Sequence, residues 1–254
     1  MITIFEIVTL PSVLNQTSAD FSLLVVIDSD MPPSCLDRLT ALTLGRTNVR
    51  LVRLDVKEIL NPQIGGFSYV WEACQSAILE NSLIESEQDY IITSVLDADD
   101  AWHMQTVQFV RANMERMVPD IQQSESGKNT WCRHSGGFVA TFPKGLGWLM
   151  QSNQYYNITF SFHSMSVFVL SRFSSNISAC SSRHAKWQSY AEVVDFRVGI
   201  IEDTPPMWVY SRHDEAVLSW QLDEKFLLMT QPMKHQFKQT FGIDIDRYDE
   251  WLFC

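Results

Sequence analysis

The run Tyr90-Ile91-Ile92-Thr93-Ser94-Val95-Leu96 leads directly into Asp97-Ala98-Asp99-Asp100, and this junction limits the possible folds more than any other stretch. Seven mostly apolar, β-prone residues of strand length read as a buried strand over 90–96. Three carboxylates then follow at its carboxyl end, which is where open α/β sheets bind ligands. Burying carboxylates without partners is costly or forces protonation, so the turn needs solvent, donors or a cation. A local reading competes: residues 101–117 have helical spacing, and Asp99 or Asp100 could cap that helix while the acidic pair complements its dipole. Capping accounts for one carboxylate. Three point to a divalent cation.

The flanking pattern predicts an α/β fold. Phe5, Val8, Leu10, Val13 and Leu14 lie near helical spacing, with Pro11 kinking or interrupting the helix. Phe21–Ile27 reads as a strand ended by Asp28-Ser29-Asp30 and Pro32-Pro33. A short helix over Leu36–Leu44 and an alternating strand over Val49–Leu54 follow, and Asp55 comes next. Residues 61–66 form a loop whose Gly65-Gly66 pair could let backbone approach a ligand or could be a plain turn. Phe67, Val70, Trp71, Cys74, Ala77 and Ile78 form a helical core stripe, and Met104, Val107, Val110, Met114 and Met117 form another that Pro119 stops. Strands alternating with helices predict a mostly parallel central sheet flanked by helices, with right-handed crossovers. Its carboxyl edge would gather Asp28, Asp30, Asp55, Asp97 and Asp99.

Residues 122–129 are polar and read as a surface loop. Between 131 and 172 the texture shifts to aromatics, Gly136-Gly137, Gly145 and Gly147, and β-prone runs such as Val167–Leu170. This predicts added strands and an aromatic-walled cleft in which Trp148, Tyr155 and Tyr156 either stack on a sugar or simply pack. The chain reads as one domain over 1–254, divided into a ligand-binding half at 1–118, a second half at 130–225, and a tail at 226–254. That tail has enough apolar surface to pack back or to meet a partner. A net charge of −11 argues against nucleic-acid or anionic-membrane binding surfaces and means a polyanionic ligand would need a local cation. Cysteines at 35, 74, 132, 180 and 254 lack any C-x-x-C pair and are odd in number, favouring reduced thiols and a cytoplasmic setting. No apolar run reaches membrane-spanning length, and no secretory signal is recognisable.

Leu10-Pro11-Ser12-Val13-Leu14-Asn15-Gln16-Thr17, followed by the strand at 21–27 and Asp28-Ser29-Asp30, resembles the opening of glycosyltransferases of the GT-A fold. Leu96-Asp97-Ala98-Asp99-Asp100-Ala101 resembles their Asp-x-Asp motif. The bacterial rhamnosyltransferase-like group is closer still: its Leu-Pro-Ser-Leu, Leu-Asp-x-Asp-Asp-Ala and Pro-Met-Trp-Leu-x-x-x-His phrases are similar to residues 10–13, 96–101 and 206–213. The resemblance spans about residues 5–215. It implies a GT-A, Rossmann-like fold and a hexosyltransferase leaning towards inversion. The donor would be a nucleotide-sugar carrying Mn²⁺ or Mg²⁺ on its diphosphate, and the acceptor a glycan or lipid-linked hydroxyl, as in polysaccharide biosynthesis. By motif position, Asp97 would face the ribose or sugar and the metal, Asp99 would ligate the metal, and Asp100 would brace the loop or cap the helix. His213 matches the histidine that closes the metal site, against a plain surface role in Ser211-Arg212-His213. Arg212 would contact phosphate. Asp28, Asp30 and Asp55 would sit near the base or ribose. Glu202-Asp203 resembles the acidic pair that includes the general base, with an ordinary turn before Thr204-Pro205-Pro206 as the alternative; His184 is a further candidate. The resemblance also implies a cytoplasmic enzyme with access to the inner membrane face.

The group has a first strand ahead of the Leu-Pro-Ser helix, so the expectation here is a GT-A fold lacking that strand or part of its donor site. Asp214 and Glu215 also replace the group's small polar residue after the histidine. Two rivals stand beside this reading. Leu24–Asp28-Ser29-Asp30 resembles the nucleophile strand of haloacid-dehalogenase-like phosphohydrolases, although Met31-Pro32-Pro33 stands where that family has Thr or Val. The other rival is an inactive glycan-binding or assembly module of the same fold.

Overall fold

The computed structural model describes residues 2–55, 57, 67–119, 136–213 and 226–252. The loops expected at 61–66 and 122–129, and Asp214 and Glu215, lie outside the described residues. The chain opens on helix α1 (Ile2–Ile4), a π-helical stretch (Phe5–Thr9) and α2 (Leu10–Leu14). Pro11 explains the irregularity: it has no N–H to donate, and the wider π turn lets the chain bypass the missing bond. Strand β1 (Leu23–Asp28), α3 (Pro33–Thr43) and β2 (Val49–Leu54) follow, with β1 and β2 paired in parallel. Helix α4 (Phe67–Glu80) turns Trp71 and Cys74 inward against Phe173, so its apolar stripe is core.

After α4 come β3 (Tyr90–Ser94), the two-residue β4 (Ala101–Trp102) and α5 (Thr106–Met114). The helix expected from 101 therefore starts at Thr106, and neither Asp99 nor Asp100 caps it. Tertiary pairing overrides the helical spacing: Ala101 and Trp102 pair antiparallel with a later strand, and the Trp102 indole donates to the Met165 carbonyl at 2.7 Å. The second half supplies β5 (Gly137–Thr141), β6 (Lys144–Leu149), β7 (Gln154–Thr159), β8 (Val167–Arg172), α6 (Trp187–Val193), β9 (Phe196–Ile200) and β10 (Trp208–Arg212). β11 (Leu227–Leu228), α7 (Gln231–Phe241) and α8 (Ile245–Leu252) complete the chain.

The fold is α/β, and the described strands form three sheets ordered β1-β2, β11-β7-β6-β10-β4 and β3-β8-β5-β9. Pairing is mixed where a mostly parallel sheet was expected. β1–β2, β5–β9 and β6–β10 are parallel, whereas β3 and β5 both run antiparallel to β8, and β6–β7 is a hairpin. Only four residues separate β6 from β7, far too few for the crossover a parallel pair needs.

One apolar cluster draws Ala140, Phe142, Phe168 and Leu170 from the four-stranded sheet against Met207 and Trp208 at the head of β10, joining the two larger sheets. The five-stranded sheet also packs Leu146, Trp148 and Val209 against Phe237, Phe241 and Tyr248 of the carboxyl-terminal helices. The segment from 226 thus packs back on the domain. Trp148 is fully buried, edge-on to Tyr248 at 5.3 Å and to Phe237 at 6.2 Å; Tyr156 is also buried, so both are packing residues. Among the described residues no helix is long and apolar enough to cross a membrane.

Candidate functional site

The acidic turn between β3 and β4 is pinned against the end of β10. β4 pairs with β10 through Ala101–Val209 and Trp102–Trp208, which carries the preceding Asp99 and Asp100 alongside Ser211. The Ser211 amide donates to Asp100 Oδ1 at 3.1 Å, and the Ser211 hydroxyl donates to the Asp99 carbonyl. The Asp100 amide closes the turn onto the Asp97 carbonyl at 3.1 Å. One residue beyond β10, His213 Nε2 lies 3.0 Å from Asp99 Oδ2. The imidazole is 7% exposed and the carboxylate 22%, so their contact is largely shielded from bulk water.

Asp100 is fully buried, and its Oδ2 has no hydrogen-bond partner among the described residues. Burial first, then the neighbouring charges of Asp99 and Asp97, pushes its carboxyl well above the usual carboxylate range, against the opposing pull of the Ser211 amide. Asp97 is exposed at the head of the turn. Among the described residues, no group of three or more His, Cys, Asp or Glu side chains is gathered to hold a metal. Asp99 and His213 meet as a pair. A pair of this kind supplies one carboxylate oxygen and one imidazole nitrogen, two ligands suited to a cation whose remaining positions are filled by phosphate and water.

The Leu-Pro-Ser…Gln-Thr phrase holds this turn from behind. The Ser12 hydroxyl accepts from the Trp102 amide at 3.2 Å and donates to the Thr9 carbonyl at 2.8 Å. Gln16 Nε2 donates to the Ser12 and His103 carbonyls, both at 2.8 Å, while its Oε1 accepts from the Val107 amide at 3.0 Å. That last bond caps α5, whose own N-cap residue Gln105 makes no side-chain cap. The Thr17 amide donates to the Met104 carbonyl at 2.7 Å. The phrase is therefore a clamp on residues 102–107, immediately after the carboxylates.

A cleft of about 290 Å³ opens beside the pair, lined by Leu149, Gln151, Ser152, Arg212 and His213 at the carboxyl ends of β6 and β10. The Arg212 guanidinium reaches over the Tyr210 ring at 5.8 Å. Asp28, Asp30 and Asp55 gather at the carboxyl ends of β1 and β2. There Lys57 Nζ meets Asp30 at 3.0 Å, Asp55 accepts from the Lys57 amide at 2.8 Å, and Asp28 accepts from the Asp30 amide at 3.1 Å. This exposed cluster already holds a cation, the Lys57 ammonium.

Glu202 and Asp203 are exposed in the turn after β9. The carboxyl ends of β9 and β3 share an edge of the four-stranded sheet, three strand spacings or about 14 Å apart. Leu96, Ile201 and Tyr210 all pack on the same apolar cluster, so both acidic turns rim one core. His184 opens a 3-10 turn, His184–Lys186, on another part of the chain.

Sequence reasoning missed Ser211, Tyr210 and His163. Ser211 was legible only as the neighbour of Arg212-His213, and its two hydrogen bonds depend on β4 lying beside β10. His163 carried no local signal at all. Its ring stacks on Trp208 at 4.9 Å and tilts against Tyr210 at 4.8 Å.

No curated protein sequence matches this chain. The model of the family described as Putative rhamnosyl transferase matches residues 2–219, from the opening helix through the acidic turn and β10, and the chain belongs to that family.

Proposed function

We propose that this glycosyltransferase-family chain moves a sugar from a nucleotide-sugar to a hydroxyl of a glycan or lipid-linked acceptor, with a divalent cation on the donor diphosphate. The observation that carries this reading is the Asp99 carboxylate held 3.0 Å from the shielded His213 imidazole at the mouth of a cleft. Asp99 and His213 would hold the cation, and the imidazole nitrogen favours Mn²⁺ over Mg²⁺ because first-row transition metals accept nitrogen ligands more readily. Bound there, the cation supplies charge neutralisation for the leaving nucleoside diphosphate.

The chain's own residues have distinct tasks in this scheme. Asp97, exposed at the head of the turn, faces the donor's ribose or sugar and is within reach of the cation. Arg212 offers planar donors to phosphate from the same cleft. The Glu202–Asp203 turn supplies the base that takes the acceptor hydroxyl's proton as the oxygen attacks from the face opposite the leaving group, giving inversion. Asp28, Asp30 and Asp55 receive the nucleoside end, with Lys57 among them. Asp100 and Ser211 contact no substrate and keep the turn in register.

Thermal-shift titration with Mn²⁺ and a panel of nucleoside diphosphates tests the reading, since a ligand bound only by the folded state raises the melting temperature by mass action. Stabilisation by one diphosphate that requires Mn²⁺ and vanishes in Asp99→Ala is the expected result. An Asp99→Ala protein that binds the diphosphate and metal as well as the parent would remove the assignment, and a parent with no metal-dependent response would favour a non-catalytic module.

A further inference from the structure

Three aromatic rings meet between the two acidic turns without being wholly buried. His163 lies flat on the buried Trp208 ring at 29° and 4.9 Å, tilts against Tyr210 at 4.8 Å, and meets the 44% exposed Phe160 ring edge-on at 6.3 Å. His163 and Tyr210 are themselves half-buried. The floor beneath them is built on glycine. A Cβ at Gly145 would lie 2.2 Å from Trp208 ring atoms, and one at Gly147 would lie 2.0 Å from the Tyr156 ring, so both rings lie directly on the β6 backbone.

The position of this shelf is what suggests its ligand. Tyr210 lies on β10 two residues before Arg212 and directly before Ser211, whose amide and hydroxyl hold Asp100 and Asp99 of the acidic turn. On the other side, Thr141 links the shelf to the Glu202–Asp203 turn. Its carbonyl accepts from the Ile201 amide at 2.9 Å, and its hydroxyl accepts from the Phe162 amide at 3.1 Å, one residue before His163. The shelf therefore bridges the cation pair and the proposed base.

We infer that His163, Tyr210 and Phe160 seat the pyranose ring of the acceptor, its apolar C–H face lying on the rings. This rests on the glycosyltransferase reading above. A pyranose has one face rich in C–H bonds, which packs on aromatic rings, and hydroxyls around its rim, which suit the polar edges of a histidine and a tyrosine. The donor sugar is tethered through its diphosphate to the cation pair. An acceptor must instead place a hydroxyl between that donor and the base, and the shelf spans this interval.

Saturation-transfer NMR with methyl α-rhamnopyranoside and methyl β-glucopyranoside, in the presence of Mn²⁺ and a nucleoside diphosphate, tests the inference. Transfer to the C–H protons of one ring face is expected in the parent protein for at least one of the two glycosides. Affinity should fall about threefold to tenfold in Tyr210→Leu and Phe160→Ala and persist in Tyr210→Phe, which keeps the ring. Melting temperature and Mn²⁺–nucleotide binding, followed in all three variants, separate loss of the shelf from loss of the fold; Phe160, being exposed, is the variant least coupled to folding. Equal affinity in parent and Phe160→Ala, or no transfer from either glycoside to a protein that binds Mn²⁺ and nucleotide, overturns the shelf. Ring-dependent transfer in a protein with no metal-dependent nucleotide binding would uphold the shelf and overturn the donor reading.

Discussion

Removing the Gln16 side chain should loosen the acidic turn without touching it. Gln16→Ala deletes two donations at 2.8 Å to the Ser12 and His103 carbonyls and one acceptance at 3.0 Å from the Val107 amide. Each bond contributes about 0.5–1.5 kcal/mol net. The site is partly buried, so water replaces some of the loss, and the three together come to about 2–3 kcal/mol. For a domain of this size that lowers the melting temperature by about 4–10 °C. Gln16→Glu makes the sharper test. The carboxylate keeps an acceptor for Val107 and gains about 0.5 kcal/mol from the amino terminus of α5. It also turns a negative oxygen towards two carbonyl oxygens that formerly received N–H groups, and that outweighs the gain. The Glu variant should therefore be at least as destabilised as the Ala variant in urea or thermal denaturation. A Glu variant as stable as the parent would show that the amide's donations do not hold residues 102–107, and the clamp argument would fail.

Other consequences follow from single features. Gly147→Ala places a methyl 2.0 Å from the buried Tyr156 ring, so one of them must move; a loss of about 1–3 kcal/mol is expected in chemical denaturation, and a neutral result would mean the ring is not seated on this strand. Phe237 is fully buried among Trp148, Tyr155 and Phe241, and Phe237→Ala should cost about 3–5 kcal/mol, measured as a single unfolding transition shared with the rest of the domain. Burial depresses the His103 pKa, and its Nδ1 accepts from the Gln105 amide at 3.0 Å. The unfolded imidazole binds a proton more readily than the folded one, so this group's stabilisation is complete above about pH 6.5 and declines as the pH falls through the depressed folded value. His103→Asn can keep an acceptor for that amide, and its stability relative to the parent should rise between about pH 6.5 and pH 5; a constant difference would argue that His103 does not titrate between the two states.

How legible each element was depended on whether its neighbours in space were also its neighbours in sequence. Val49–Leu54 alternates and is a strand of those bounds, because β1, the strand it pairs with, precedes it across one short helix. Residues 101–105 misled for the opposite reason. Their apolar spacing continues that of α5, yet Ala101 and Trp102 pair with residues 208–209, more than a hundred positions later, and the pairing energy exceeds the small local preference for helix. Within the expected α/β fold, strand direction was less legible: β8 returns antiparallel between β3 and β5, and nothing within Val167–Arg172 specifies the direction from which its partners arrive.

The site shows the same limit at closer range. The turn Asp97-Ala98-Asp99-Asp100 stood out in the sequence because three acids after an apolar strand demand compensation, and His213 stood out through the phrase before it. The division of labour among the three acids was not, since it is set by β10. Ser211 presents an amide to Asp100 and a hydroxyl to the Asp99 backbone, so Asp100 turns inward and Asp99 is left facing His213. A buried carboxyl with one oxygen unsatisfied is expensive, and burial together with two neighbouring charges drives it towards its neutral form. Ser211 thereby fixes the direction of two acids more than a hundred residues upstream, and no reading of residues 96–101 in isolation could have supplied that.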